Sequence, residues 1–77
     1  MSQTIVQTLD LKGFNCPIPI VKTAKAFREL SSGDVVEVLV TDPGALQDFP
    51  AWCRSTGNEL IDTIKEDGAI RFLLRKR

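Results

Sequence analysis

A chain of 77 residues that is 43% hydrophobic and 26% charged has an ordinary globular composition and room for one small domain, expected over 1–77. Ten basic side chains balance ten acidic ones, which argues against a bulk electrostatic nucleic-acid binder. The absence of histidine removes Ser-His-Asp and Cys-His catalysis and any histidine-held metal, and no cofactor motif stands in the sequence.

Thr4–Leu11 alternates, with Ile5, Gln7, Leu9 and Leu11 set against Val6, Thr8 and Asp10, and ends at Lys12-Gly13, which predicts a strand. After Cys16-Pro17-Ile18-Pro19, residues Ile20, Ala24, Phe27 and Leu30 recur at helical spacing, with Lys22, Lys25 and Arg28 on the opposite side. Ser31-Ser32-Gly33 stops that helix, with Gly33 as its left-handed cap. Asp34–Thr41 carries Val35, Val36, Val38, Leu39 and Val40, the nearly continuous run of a central strand.

Asp42-Pro43-Gly44 is a turn. A second helix is expected to start near Asp48 as N-cap, with Phe49 and Pro50 in its first turn. Phe49, Trp52, Cys53 and Thr56 share one face of it, and Gly57-Asn58 ends it. Glu59–Glu66 and Ala69–Arg77 read as two strands joined at Asp67-Gly68. The order βαβαββ predicts an α+β two-layer sandwich, with two helices on one face of a four-stranded mixed sheet. On the other face Val35, Leu39 and, in one register, Leu73 read as scattered surface apolar residues rather than a docking patch.

Cys16 is the residue that carries chemistry. With Pro17 at the first helical position and Pro19 at the third, the amides of Ile18 and Ile20 are left to face the helix start. A sulfur there meets the positive end of the helix dipole, so a thiol pKa lowered from about 8.5 toward roughly 3.5–7.5 is expected. Gly13 lets the loop turn tightly and leaves the sulfur uncovered. Cys53, mid-helix beside Trp52, reads as core filler, and the pair forms no Cys-x-x-Cys.

The basic residues form two groups. Lys22, Lys25 and Arg28 could draw an anionic partner toward the sulfur, whereas Arg71, Arg75, Lys76 and Arg77 cluster on the last strand and tail. Asp42 and Asp48 read as turn and cap residues. Residues 1–15 show no charged-then-apolar leader, and no stretch approaches the roughly 18 apolar residues of a membrane span. A cytoplasmic protein with reduced thiols and no membrane contact is therefore expected.

The run Leu9-Asp10-Leu11-x-Gly13-x-x-Cys16-Pro17-x-Pro19, then Gly33-Asp34, Thr41-Asp42-Pro43 and Asp48-Phe49-Pro50-x-Trp52-Cys53, resembles the TusA/SirA/YedF family of sulfur-carrier proteins over essentially the whole chain. The resemblance implies the same βαβαββ sandwich, with Cys16 accepting a sulfane sulfur as a persulfide and relaying it to another protein. It implies a cysteine desulfurase or rhodanese as donor and a DsrE-type protein as acceptor. It also implies a pathway among tRNA thiolation, molybdenum-cofactor maturation and dissimilatory sulfur oxidation. The middle residue of the motif is Ile18, where members acting in tRNA thiolation often carry glutamate.

Persulfide relay needs an ionised thiol and a good leaving thiolate but no histidine, which matches this inventory. The competing reading is a non-enzymatic regulatory or protein-interaction module of the same fold. Direct nucleic-acid binding through the basic groups ranks third and is not expected.

Overall fold

A computed structural model describes residues 4–77. Its elements run β1 (Ile5–Asp10), α1 (Ile18–Phe27), β2 (Val35–Val40), α2 (Ala45–Thr56), β3 (Glu59–Glu66) and β4 (Ala69–Arg75). The strands form one sheet in the order β1-β2-β4-β3, with β1 and β2 parallel and the other pairs antiparallel. Two helices on one face of a four-stranded mixed sheet is the architecture expected from the order of the elements. No helix of the described residues is long and apolar enough to cross a membrane.

Strand period decides which side chains go inward. Val36, Val38 and Val40 of β2 and Phe72 and Leu74 of β4 are fully buried against the helices, as the alternation required. They meet Phe27 from α1 and Ala45, Phe49 and Cys53 from α2. Phe49 stacks on Phe72 with ring centroids 4.6 Å apart, and Trp52 sets its edge to Phe27 at 5.0 Å.

The opposite face of the sheet is charged. Register places Glu37 opposite Leu73 and Leu39 opposite Arg71, and Arg71 bridges Glu37 at 3.2 Å and Glu66 at 2.8 Å. Arg75 pairs with Glu59 at 2.8 Å. Val35 is buried, and Leu39 and Leu73 are half-buried beside these ion pairs. The expected basic cluster on the last strand and tail is therefore divided. Arg71 and Arg75 are committed to carboxylates on the sheet face, and Lys76 and Arg77 fold to the helix side.

Three local expectations change. The helix α1 ends at Phe27 and loosens into i→i+3 turns through Leu30, so Gly33 is not its cap. Gly33 (φ +91°) instead closes the Ser31–Asp34 turn into β2 and donates its N–H to the Lys76 carbonyl at 2.8 Å. The helix α2 starts at Ala45, ahead of Asp48, because Asp42 closes the turn that nucleates it. Pro50 therefore lies inside the helix, where it has no N–H to give the Leu46 carbonyl. Gly57 ends α2 in the left-handed conformation, as expected.

Thr23 lies on the buried stripe of α1 with Pro19 and Phe27, and its hydroxyl finds no hydrogen-bond partner. An unpaired buried hydroxyl costs about 1–3 kcal/mol. Thr23→Val, of similar shape, is expected to stabilise the fold by about 1 kcal/mol, which calorimetry reads as a Tm rise of roughly 4–8 °C in a domain of this size. An unchanged or lower Tm would mean that water satisfies this hydroxyl.

Candidate functional site

Two loops at the C-terminal ends of the adjacent parallel strands β1 and β2 build the site. Leu11 extends their pairing by one bond, its N–H reaching the Leu39 carbonyl at 2.8 Å. The β1–α1 loop then turns at Gly13, whose φ of +89° is open to glycine at little cost and whose missing Cβ would meet nothing within 4 Å. Two bonds tie this loop to the next one. Gly13 N–H donates to Thr41 Oγ1 at 2.9 Å, and Cys16 N–H donates to Asp42 Oδ2 at 2.7 Å. The other Asp42 oxygen accepts from Gly44 N–H at 3.1 Å. Asp42 therefore starts α2 and fixes the main chain at Cys16 with one carboxylate, and these bonds hold its pKa below the ordinary 3.8.

The helix start lies one position later than its sequence suggests. Pro17 is the N-cap and Pro19 the second helical residue. The Ile18 amide is already used, donating to the Asn15 carbonyl at 3.0 Å, and the first helical bond runs from Val21 N–H to Pro17 O. The Cys16–Pro17 peptide is cis. Pro19 is fully buried and packs the helix start onto the core rather than only stiffening the loop, while Ile20 is half-buried behind it.

Cys16 is half-buried and free, Cys53 is buried and free, and the two form no disulfide. The expected acid shift of Cys16 is reversed: its thiol is pushed up to about 12 from 9.0. Burial comes first among the causes, then hydrogen bonds to Asp48 and to Asp42, then the charges of both carboxylates. The physical reason lies in what surrounds the sulfur. Pro17 and Pro19 bring no N–H, Ile18 spends its own on Asn15, and the nearest full charges are negative. The helix dipole, worth about half a charge, is outweighed. Burial alone pushes the Cys53 thiol up.

The site's flank is apolar. The large exposed apolar residues of the described chain are Ile5, Val6, Phe14, Ile18 and Val21, and the last three bracket Cys16 in sequence. Lys22 lies over the Phe14 ring at 5.0 Å. Lys25 and Arg28 are exposed further along α1. Between the helices, Pro17, Ile20, Asp48, Ala51, Trp52 and Ser55 line a shallow hollow of about 400 Å³.

Sequence reasoning read Asp42 and Asp48 only as turn and cap residues and missed their place at the sulfur. The available signal was topological: loops following neighbouring parallel strands converge at one end of the sheet. That brings Thr41-Asp42 beside the Gly13–Cys16 segment.

The chain is similar to known proteins over most of its length. A family model described as Sulfurtransferase TusA matches residues 7–76. The sulfur carrier protein TusA of Allochromatium vinosum is 46% identical over 70 residues, covering 91% of this chain and 92% of that one. The putative sulfur carrier protein YrkF of Bacillus subtilis is 47% identical over 76 residues, and the chain spans only 40% of its length. The crystal structure of a SirA-like protein from Desulfitobacterium hafniense superposes with a TM-score of 0.80 at 30% identity, covering 91% of this chain and 96% of that one.

Proposed function

The chain belongs to the sulfurtransferase TusA family of sulfur carriers, and we propose that it carries a sulfane sulfur as a persulfide on Cys16 and relays it between two partner proteins. One observation carries this reading. The half-buried thiol stands at the mouth of the Pro17 helix start, its main chain fixed by Asp42 and its sulfur beside two carboxylates.

Loading is an exchange in which nothing is gained or lost overall. The Cys16 sulfur attacks the outer sulfur of a donor persulfide, the donor's S–S bond breaks, and the donor leaves as its thiol while Cys16 becomes Cys16–S–SH. A thiol held near 12 reacts only as its proton departs. Asp42 is occupied by two amide N–H groups. Asp48 is then the base that takes the Cys16 proton during loading and gives it to the departing donor thiolate. In relay it passes the proton given up by the acceptor thiol to the Cys16 thiolate that leaves as the acceptor attacks the outer sulfur. Until a donor docks, the same carboxylates keep the thiol protonated and poorly reactive. Once loaded, the outer sulfur projects a further S–S bond of about 2.05 Å away from them, toward the partner.

Phe14, Ile18 and Val21 form the apolar apron on which a donor or acceptor docks around that sulfur, with Lys22, Lys25 and Arg28 supplying charge along α1. A cysteine desulfurase or rhodanese as donor and a DsrE-type protein as acceptor fit this role.

Reduced protein exposed to a low-molecular-weight persulfide is expected to gain one sulfur, about 32 Da, by intact-mass spectrometry, and Cys53→Ala is expected to gain the same. Failure of the parent protein to take up sulfur, or loss of uptake in Cys53→Ala, would overturn the reading.

A further inference from the structure

The hollow beside Pro17 is followed along α1 and α2 by a second one of different character. There Ala24, Phe27, Arg28, Thr56, Asn58, Lys76 and Arg77 enclose about 410 Å³, and Trp52 lines both. The cysteine end has one charged residue, Asp48; the far end has three cations. None of the three has a carboxylate partner within 4 Å among the described residues. The tail that brings two of them is pinned in place. Lys76 N–H donates to the Asp34 carbonyl at 2.8 Å, Arg77 N–H donates to Asn58 Oδ1 at 2.9 Å, and the Arg77 side chain packs over Gly57.

Cations at helix C-termini complement the macrodipole, and Arg77 at the end of α2 does so. That role explains neither the open hollow nor its aromatic wall. From Pro17 to Arg28 the groove runs about 16 Å at 1.5 Å per helical residue, the span of about five residues of extended chain at roughly 3.3 Å each. Its lining passes from apolar to cationic across a half-buried Trp52, an anchor type that dominates protein interfaces.

We infer that the α1–α2 groove is a docking site for an extended segment of a partner protein, about five residues long, with apolar side chains toward Cys16 and acidic ones over Arg28 and Lys76. This rests on the proposed relay, since only a carrier that hands sulfur to proteins needs a grip on them apart from the sulfur. It adds a second contact, so that a partner is held by its tether while its thiol samples Cys16, which raises the effective concentration of that thiol.

Trp52 is the chain's single tryptophan, and there is no tyrosine, so its emission reports the groove directly. The probes are two blocked peptides, Asp-Glu-Asp-Leu-Leu and its reverse, with Lys-Lys-Lys-Leu-Leu as the control. One acidic peptide is expected to shift the emission saturably with a Kd on the order of 10⁻⁴ M, and the lysine peptide to leave it unchanged. Binding should weaken about tenfold in Arg28→Gln/Lys76→Gln. It should weaken further as ionic strength rises from about 0.01 M to about 1 M, where the Debye length falls from roughly 30 to roughly 3 Å. Cys16→Ser should bind unchanged. No saturable shift, equal binding of the lysine peptide, or an equal shift with inorganic phosphate alone would overturn the inference. Sulfur uptake by the parent protein from the small persulfide is measured alongside. In the parent, normal uptake without peptide binding rejects the groove alone, and peptide binding without uptake rejects the relay alone.

Discussion

Cys16→Ser is expected to lose sulfur loading and relay altogether, by about 10³-fold or more in a transfer assay with a persulfide donor and a thiol acceptor. No other group can substitute. A serine hydroxyl does not form the S–S bond the carrier needs. Cys53 is 5% exposed within the core, and burial keeps its thiol protonated. The sequence has no histidine to activate a replacement. The fold should survive, because the bond that fixes this position runs from the Cys16 main-chain N–H to Asp42 and does not use the sulfur. An unchanged Tm together with complete loss of transfer is the expected pair. Retained transfer would place the sulfur elsewhere and reject the account.

Asp48→Asn is expected to move two rates in opposite directions. Alkylation of Cys16 by iodoacetamide near pH 8 should become roughly three- to tenfold faster. Removing one carboxylate lowers a thiol pKa now near 12, and each unit of fall gains about tenfold in thiolate but loses about threefold in nucleophilicity. The gain is bounded because burial, the foremost cause of the shift, persists in the variant. Loading from a donor persulfide should slow by about 10²-fold, the lower end of what a positioned general base contributes. Alkylation follows thiolate population, whereas loading follows proton transfer to Asp48. If both rates rose together, Asp48 would be only a charge that suppresses the thiol. If both fell, it would be a structural residue.

The fold was legible because its signals are local and agree with one another. The valine run of β2, the Asp67-Gly68 hairpin and the Gly57 stop each place an element boundary through backbone or burial preferences that tertiary packing does not reverse. The start of α2 lies ahead of the expected Asp48 cap because the helix grows from the turn that Asp42 closes, with Gly44 as N-cap. Asp42 binds the Gly44 and Cys16 amides together, an arrangement that depends on a loop distant in sequence.

The sequence singles out Cys16, the centre of the proposed site, but not the electrostatics around it. A helix dipole can be inferred from one segment, whereas the carboxylates of Asp42 and Asp48 come from the β2–α2 loop and from α2 and act only once the chain has folded. The split of the basic residues was hidden for a similar reason. Strand register sends Arg71 and Arg75 to one face of the sheet, and the tail after β4 turns Lys76 and Arg77 to the other.

The central claim is that the sulfane sulfur sits on Cys16, and trypsin separates the two cysteines cleanly. Cleavage after Lys12 and Lys22 yields the Cys16 peptide, and cleavage after Arg28 and Arg54 yields the Cys53 peptide. Protein loaded by a persulfide donor, trapped with iodoacetamide and digested, is expected to carry an extra sulfur of about 32 Da on the Gly13–Lys22 peptide alone. An extra sulfur on the Glu29–Arg54 peptide, with Gly13–Lys22 alkylated but unloaded, would contradict the account.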